Sequence, residues 1–326
     1  MKKIAFYDTK PYDKTFFTEA NKTHGYEIIY LESKLNARTG VLADGADAVV
    51  AFVNDDIDSC ALKTLKSKNI GILAMRSAGY NNVDMAAAKE NGIKVVRVPD
   101  YSPYAIAEHT MALLLALVRK IHKAYNRTRE YNFSLNALNG FDLHGKTVGV
   151  IGTGKIGGVF IDICKGFGMK ILAYDPYPSR QDLEYVSIPD LCARADIISL
   201  HCPLTKDTFH LINRENLSLM KNGVYIINTS RGALIDTDAL LEAIRSGKVG
   251  AAGLDVYEEE SEFFYEDLSN EIFPDEVLAL LITMPNVLVT SHQAFLTNEA
   301  LSQIAKTTLE NLDAFFQNTP LKNEIQ

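Results

Sequence analysis

The chain has 326 residues, 47% of them hydrophobic, and a formal net charge of −8. This length exceeds the usual size of one hydrophobic core, so we expect two domains. An acidic chain without a lysine-rich or arginine-rich block is a poor candidate for binding nucleic acid. The longest apolar run, Met111 to Val118, is too short to cross a bilayer. Because the N-terminus also lacks the features of a signal peptide, we expect a cytoplasmic protein that does not associate with membranes.

The four cysteines are Cys60, Cys164, Cys192 and Cys202. They lie in apolar or strand-like segments, without a CxxC pair and without a histidine at metal-ligand spacing. We therefore expect reduced, buried thiols and no metal site.

The first hundred residues alternate short apolar strands with helical segments, which predicts an α/β domain with a parallel sheet. The predicted strands are Ile4–Tyr7, Glu27–Tyr30, Ala48–Phe52, Gly71–Met75 and Lys94–Val98. Ser102 and Pro103 then have the pattern of an N-cap followed by a first helical residue. They predict a long helix that ends near Arg119 and leads into the second domain.

A second alternating series follows and predicts six further strands, which suit a complete dinucleotide-binding sheet. These strands are Thr147–Ile151, Lys170–Tyr174, Asp196–Leu200, Val224–Asn228, Ala251–Leu254 and Val287–Thr290. A helical tail from about Thr297 is expected to return to the first domain. The predicted domains are therefore a discontinuous first domain, 1–100 with 299–326, and a second domain, 101–298, with a hinge at the two crossovers.

A glycine-rich turn lies between a strand and a helix, which is the context that a dinucleotide fingerprint requires. Gly152 permits the tight turn, Gly154 lets the backbone approach a pyrophosphate, and Gly157 allows the helix to pack on the strand. Asp175 ends the next strand, where its carboxylate can bind the ribose hydroxyls and repel a 2′-phosphate. Because residues 176–178 supply no arginine, the sequence favours NAD over NADP.

Two residues at predicted strand ends have the chemistry to reduce a 2-keto acid. Arg231 follows the fourth strand of the second series, and its planar guanidinium can hold a carboxylate through two hydrogen bonds. His292 follows the last strand and can exchange a proton with a hydroxyl, although His201 also follows a strand and competes for this role. A neighbouring glutamate would stabilise the imidazolium, but spacing alone does not choose among residues 258–260.

Several motifs together cover nearly the whole chain. They are SAGYNNVD (77–84), HCPLT (201–205), NTSRGALID (228–236) and GLDVYE (253–258), with FYDTKPYD (6–13), FVNDD (52–56), GFDLHGK (140–146) and HQAFLT (292–297). In these motifs the chain resembles the D-isomer-specific 2-hydroxyacid dehydrogenase family, and in particular its fermentative D-lactate dehydrogenases. The resemblance implies two Rossmann-like or flavodoxin-like α/β domains, each with a parallel sheet, and an active-site cleft between them.

The resemblance also implies a role for individual residues. Arg231 would bind the substrate carboxylate and keto oxygen, His292 would be the acid/base, and Glu260 would pair with it. Asp255 would contact the nicotinamide end of the cofactor. The remaining residues expected to bind NAD are Gly152, Gly154, Lys155, Ile156, Gly157, Asp175, Cys202, Pro203, Thr229 and Ser230, together with Arg231.

From the first domain, the backbone amides of Ala78 and Gly79 would hold the substrate carboxylate, and Tyr101 would close on the substrate. Phe52 and Phe295 match positions that line a small apolar pocket in members that act on small substrates, although ordinary core packing explains them equally well.

The expected activity is the reversible reduction of a small 2-keto acid, pyruvate above all, by NADH to the D-2-hydroxy acid. One alternative is a dehydrogenase for bulkier D-2-hydroxy acids, and another is an NAD-sensing scaffold such as the corepressors that share this fold. The resemblance and the apolar helix that follows Ser102 favour a homo-oligomer, either a dimer or a tetramer.

Overall fold

The structure is a computed structural model that describes residues 1–260 and 263–325. The chain divides into two compact units. The first comprises Met1–Ser102 and the residues from Leu296 onwards, and the second is Pro103–Phe295.

The strands of the described residues form two parallel sheets, as the sequence predicts. Their bounds are β1 (Lys3–Phe6), β2 (Glu27–Tyr30), β3 (Ala48–Ala51), β4 (Ile72–Met75), β5 (Lys94–Val96), β6 (Thr147–Ile151), β7 (Lys170–Tyr174), β8 (Glu184–Tyr185), β9 (Ile197–Leu200), β10 (Val224–Asn228), β11 (Val249–Leu254) and β12 (Val287–Val289). Each predicted strand is present, and most bounds agree within two residues. The two-residue strand β8 was not predicted, because two residues carry no readable alternation.

The helices are α1 (Pro11–Asn21), α2 (Ser59–Ser67), α3 (Met85–Glu90), α4 (Pro103–Arg119), α5 (Ile121–Arg129), α6 (Lys155–Gly166), α7 (Ile188–Arg194), α8 (Arg214–Leu219), α9 (Thr237–Arg245), α10 (Glu276–Thr283) and α11 (Asn298–Phe316). Side-chain caps begin many of them. Asp58, Asp236 and Thr297, for example, accept a hydrogen bond from the backbone N–H three residues later, which satisfies a donor that the first turn leaves unpaired.

In the first unit the strand order is β2-β1-β3-β4-β5, and every neighbouring pair is parallel. The interior of this sheet is a continuous apolar run, as in β3 and β4, whose eight residues are all buried. Such runs are typical of a sheet that is covered on both faces. The tail helix α11 packs against α1 and β4 of the same unit.

In the second unit the order is β12-β11-β10-β9-β6-β7-β8, again parallel throughout. The long helix α4 begins at Pro103 and ends at Arg119, as predicted. It packs against α6 and against strands β10, β11 and β12, where Leu113, Leu114 and Leu117 enter the core.

The four cysteines are free thiols, as expected, but only three of them are buried. Cys60 is exposed. The expectation of burial was wrong there because Cys60 is in the first turn of α2, whose buried face is formed by Ala61, Leu62 and Leu65.

Candidate active site

The candidate residues of the second unit follow strands of one sheet. Since all its strands are parallel, their carboxyl ends lie along one edge, which is the ligand side of an open α/β sheet. Asp255 follows β11 directly, and Arg231 and His292 follow the neighbouring strands β10 and β12 within three residues. On the other side of the sheet centre, Gly152 follows β6 and Asp175 follows β7.

The glycine turn has the geometry of a pyrophosphate site. Gly152 has a φ of +94°, and a Cβ there would lie 2.6 Å from the backbone carbonyl of His201. A Cβ on Gly157 would lie 2.0 Å from the carbonyl oxygen of Gly152, so helix and turn can approach this closely only without side chains. A Cβ on Gly154 would meet nothing within 4 Å. Open space above Gly154, at the N-terminus of α6, is where a pyrophosphate would bind.

Asp175 is held in place by the glycine turn itself. One oxygen of its carboxylate accepts hydrogen bonds from the backbone N–H and the hydroxyl of Thr153, at 2.7 and 3.0 Å. The other oxygen accepts from the N–H of Tyr177 at 2.9 Å. The charge is therefore fixed beside the first turn of α6, where the ribose of a bound dinucleotide is expected.

The other residues expected to bind NAD lie along the same edge. Lys155 and Ile156 begin α6. The Ser230 hydroxyl donates to the carbonyl of Cys202 at 2.7 Å, which joins the segments that follow β9 and β10. Thr229 is hydrogen-bonded through its hydroxyl to Thr110 of α4 at 2.8 Å. Pro203 follows Cys202, and burial raises the pKa of the Cys202 thiol to about 11, so this thiol is protonated at neutral pH.

Arg231 lies between β10 and a short 3-10 turn, Gly232–Leu234. Its carbonyl accepts from the side chain of Asn228 at 2.8 Å, and one guanidinium nitrogen donates to the Ser230 carbonyl at 2.6 Å. A Cβ on Gly232 would lie 2.0 Å from the backbone of Tyr257. The Arg231 turn is thus in direct backbone contact with the segment that carries Glu260.

His292 and Glu260 form the pair that the resemblance implies. The Nδ1 of His292 lies 2.6 Å from one carboxylate oxygen of Glu260, and the other oxygen accepts from the N–H of Tyr257 at 2.9 Å. Both side chains are mostly buried, with 18% and 17% of their surface exposed. Because Glu260 binds Nδ1, the ring presents Nε2 to a ligand.

The backbone of His292 has a φ of +50°, which is unfavourable for a residue with a side chain. Hydrogen bonds maintain this conformation. The His292 N–H donates to the carbonyls of Asp255 and Thr290, at 2.7 and 3.1 Å, and the Tyr265 hydroxyl donates to the His292 carbonyl at 2.9 Å.

Asp255 is fully buried, and its carboxylate binds the loop that carries His292. One oxygen accepts from the Thr290 hydroxyl at 2.6 Å and the Gln293 N–H at 2.9 Å, and the other accepts from the Ala294 N–H at 2.9 Å. His109 of α4 approaches the same carboxylate at 3.3 Å. The structure therefore gives Asp255 a positioning role, and its predicted contact with the nicotinamide end stays a prediction.

His201, the competing histidine, is not suited to acid/base chemistry in this structure. Its ring packs on Phe160, and its Nε2 is hydrogen-bonded to the Ser199 hydroxyl at 2.8 Å. Burial lowers the pKa of His201 to about 3, so the ring is neutral at physiological pH. It cannot supply a proton to a substrate there.

In the first unit, the segment after β4 is held by its carbonyl groups. The Ser77 carbonyl accepts a hydrogen bond from the Val98 N–H at 3.0 Å, and the Ala78 carbonyl accepts one from the Arg97 guanidinium at 2.8 Å. The Gly79 carbonyl accepts from the Ser77 hydroxyl at 2.8 Å. Ala78 and Gly79 are half-buried, and so is Tyr101. The fixed loop leaves its amides as the candidate donors to a carboxylate.

Phe52 follows β3 at the same edge of the first sheet and is almost fully buried. The guanidinium carbon of Arg76 lies 3.8 Å from the centre of the Phe52 ring. The backbone N–H of Phe52 donates to the Asp55 carboxylate at 2.6 Å. Phe295, at the end of the second unit, is also buried. Burial is compatible both with a pocket wall and with core packing, so the role of these phenylalanines stays a prediction.

Sequence reasoning missed the residues that hold the others in place. Thr153, Thr290 and Tyr265 act through hydrogen bonds to Asp175, Asp255 and His292. Single hydroxyls in turns carry no sequence signal, because most of them are solvated. Thr153 alone could have been suspected, since it lies inside the glycine fingerprint.

Within the described residues, the structure has no helix that is long and apolar enough to span a membrane. The described part of the chain also contains no cluster of three or more histidine, cysteine, aspartate or glutamate side chains that could hold a metal ion.

Comparison with known proteins identifies the family to which the chain is similar. Residues 111–294 match the family model described as the NAD-binding domain of D-isomer specific 2-hydroxyacid dehydrogenases. The chain is 50% identical to the D-lactate dehydrogenase of Escherichia coli K12, over 99% of both chains. It is 53% identical to 2-hydroxyacid dehydrogenase homolog 1 of Schizosaccharomyces pombe, over 96% of both. A solved structure of the pyruvate reductase of Chlamydomonas reinhardtii matches with a TM-score of 0.94 at 42% identity, covering 99% of this chain and 98% of that one.

Proposed function

Because the chain belongs to the D-isomer specific 2-hydroxyacid dehydrogenase family and contains its NAD-binding domain, we propose that it is a D-lactate dehydrogenase. It reduces pyruvate to D-lactate with NADH and catalyses the reverse reaction. The observation that carries the proposal is the His292–Glu260 pair, which lies at the carboxyl edge of the NAD-binding sheet on the same edge as Arg231.

In this proposal the side chains divide the work of one reduction. Bound NADH supplies a hydride to the keto carbon of pyruvate. Arg231 binds the carboxylate and, through the same guanidinium, stabilises the negative charge that develops on the keto oxygen. The Nε2 of protonated His292 gives its proton to that oxygen, while Glu260 balances the charge of the imidazolium at Nδ1. His292 ends the cycle neutral and takes a new proton from water.

Asp255 and Thr290 position the acid/base without touching the substrate. Asp255 fixes the residues on both sides of His292 and helps to hold its strained backbone. Asp175 binds the ribose, and the glycine turn binds the pyrophosphate. In the first unit, the amides of Ala78 and Gly79 and the Tyr101 side chain bind the substrate.

The alternative substrates are bulkier D-2-hydroxy acids. Two relatives named above carry names that specify lactate or pyruvate, whereas the Schizosaccharomyces pombe relative is named only as a 2-hydroxyacid dehydrogenase homolog. The rings of Phe52 and Phe295, if they line the pocket, favour a substrate as small as pyruvate.

The test is the initial rate of NADH oxidation with pyruvate and with a branched 2-keto acid, followed by chiral analysis of the product. The proposal expects a higher kcat/KM with pyruvate and D-lactate as the product. Preference for the branched acid would move the assignment to the neighbouring dehydrogenases, and L-lactate or no turnover with either acid would refute the proposal.

We also propose that the chain forms homo-oligomers. Five exposed apolar side chains lie close together in the sequence, in and after α5: Ile121, Tyr125, Tyr131, Phe133 and Leu135 have 58% to 85% of their surface exposed. A patch of this kind is typical of a contact surface. Light scattering after gel filtration should give the mass of a dimer or tetramer, and the double variant F133S/L135S should have a lower mass.

We also propose a cytoplasmic location, which the free thiols support.

A further inference from the structure

An arginine lies closer to the proposed ribose site than the sequence suggested. The backbone N–H of Arg180 donates to the Tyr185 hydroxyl at 3.4 Å, and that hydroxyl lies 3.1 Å from the hydroxyl of Thr153. Thr153 in turn donates to Asp175 at 3.0 Å. Three hydrogen bonds therefore connect Arg180 to the carboxylate that is proposed to bind the ribose. Residues 176–178 contain no arginine, but the chain folds back and brings Arg180 into this network.

The guanidinium of Arg180 is fully engaged with other partners. Its Nε and one Nη donate to the two carboxylate oxygens of Asp182, at 3.1 and 2.8 Å, in the bidentate geometry of a strong arginine–carboxylate pair. The same Nη donates to Asp162 of α6 at 2.8 Å, and the other Nη donates to the Gly158 carbonyl at 3.2 Å. Lys165 also binds Asp182.

These contacts keep the charges in place. Hydrogen bonds from Arg180 and Lys165 hold the pKa of Asp182 well below its usual range, and the two aspartates raise the pKa of Arg180. The Arg180 side chain is 25% exposed, whereas Asp162 and Asp182 are 62% and 52% exposed. The arginine is thus covered by its partners and held against α6, the helix at whose N-terminus the pyrophosphate is proposed to bind.

We propose that Asp162 and Asp182 help to set the cofactor preference by holding Arg180 away from the position that the 2′-phosphate of NADP would occupy. A 2′-phosphate carries about 1.5 to 2 negative charges and is the group that an arginine fork binds best. In NADP-binding sites of this fold, an arginine near the acidic position commonly accommodates it. Here Asp175 repels the phosphate, and Asp162 and Asp182 bind the arginine that would otherwise contact it.

This inference rests on the proposed contact between Asp175 and the ribose. The proposed restraint of Arg180 differs from repulsion by Asp175 in one respect that can be measured. Repulsion by Asp175 explains weak NADP binding without any role for Arg180, whereas the proposed restraint requires that release of Arg180 create a new phosphate contact. The discriminating experiment therefore keeps Asp175→Ala constant and varies only the partners of Arg180.

The experiment measures the Kd of NADPH and NADH by the change in nicotinamide fluorescence. The test variant combines D175A with D162N and D182N, which preserve the size of both side chains and remove their charge. We expect NADPH to bind about 10-fold more tightly than to D175A alone, as one charge-assisted contact would give. The Kd of NADH should change less than about twofold.

The chain offers a matched control on α7. Arg194 also binds two carboxylates, those of Glu184 and Asp190, at 2.7 and 3.0 Å. The substitutions E184Q and D190N on the D175A background remove the same charge and release an arginine of the same kind. The inference predicts no comparable gain in NADPH binding from them, because it depends on Arg180 itself. A general attraction of the phosphate by the added positive charge would instead give an equal gain in both variants.

The decisive reversal is R180Q added to the test variant, which should abolish the gain. No gain over D175A alone, an equal gain in the Arg194 control, or a gain that survives R180Q would each overturn the inference. If D175A leaves the binding of both cofactors unchanged, the ribose contact is misassigned and the inference falls with it. The lactate dehydrogenase proposal is tested separately, by the substrate and product of the unmodified enzyme.

Discussion

The described residues of the second unit include two histidine–glutamate pairs whose glutamates are only two residues apart in the chain. His292 lies 2.6 Å from Glu260, and His210 lies 2.7 Å from Glu258. Both histidines have a left-handed backbone, with φ values of 50° and 48°. In residue chemistry and distance the two pairs are nearly the same, so neither property alone identifies the catalytic pair.

The pairs differ in the ring nitrogen that they use and in their place in the fold. Glu260 binds Nδ1 of His292, which leaves Nε2, at the far end of the ring, for a substrate. Glu258 binds Nε2 of His210, so the far end of that ring is already occupied. His292 follows β12 at the ligand edge of the sheet, whereas His210 lies under the stacked ring of Phe209, at 3.9 Å between ring centres.

The His210–Glu258 pair holds neighbouring segments of the chain together. Glu258 accepts from the Thr237 hydroxyl at 3.1 Å through its other oxygen, and the His210 N–H donates to the Ala233 carbonyl at 2.9 Å. These bonds tie the segment after β9 and the start of α9 to the segment that leads to Glu260. The comparison teaches that a proton donor needs an accessible nitrogen at a strand end, in addition to a carboxylate.

The largest expected effect is that of His292→Gln. Glutamine cannot donate a proton at neutral pH, so we expect kcat for pyruvate reduction to fall by about 10²- to 10⁴-fold. The Kd of NADH should change less than about twofold, since the side chain is not proposed to bind the cofactor. Steady-state rates and fluorescence titration measure the two quantities. A kcat within tenfold of the parent enzyme would remove His292 from the acid/base role.

Glu260→Gln should have the next largest effect on kcat, about 10- to 100-fold, because the imidazolium loses its neighbouring negative charge while the amide oxygen can still orient the ring. If the two residues act as one unit, the double variant with His292→Gln should be no slower than His292→Gln alone. Measuring all three variants gives this result directly. Fully multiplicative losses would show that Glu260 acts independently of His292.

Asp255→Asn should damage the first pair without touching the substrate. The amide replaces one acceptor oxygen by a donor that faces backbone N–H groups, in a fully buried position. We expect the free energy of unfolding to fall by about 1–3 kcal/mol, together with a several-fold loss of kcat at little change in KM for pyruvate. Denaturant unfolding and steady-state kinetics are the measurements. An unchanged stability would contradict the role of Asp255 as the residue that holds the His292 loop.

The sequence predicted the site residues at strand ends better than the residues that hold them in place. Strand ends and the glycine turn can be predicted from periodicity and spacing, so the sequence alone places Arg231, His292 and Asp175 at strand ends but leaves His201 as a competitor of His292. The choice among Glu258, Glu259 and Glu260 came from the resemblance, because adjacent glutamates in a loop have no periodicity that orients them. The structure separates them, since Glu258 pairs with His210 and Glu259 is exposed.

The supporting contacts of the site join residues that are far apart in sequence. Asp255 and His109 are 146 positions apart in numbering and meet at 3.3 Å, and His210 and Glu258 are separated by 48. Local propensity gives no information on such pairs. The sequence also does not show the positive φ of His292, because this conformation is uncommon even for histidine and tertiary hydrogen bonds maintain it.

The smallest effects are expected from the second pair, and they complete the comparison. In Glu258→Gln the amide oxygen can still accept from Thr237, and the pair with His210 is about a quarter to a third exposed. We therefore expect a loss of about 0–1 kcal/mol in stability and a kcat within about twofold of the parent enzyme. Glu259→Gln removes the same charge from an exposed neighbour and should change neither quantity. If Glu258→Gln instead reduced kcat as strongly as Glu260→Gln, with Glu259→Gln silent, the loop fastened by His210 would have to be counted among the elements that position the acid/base.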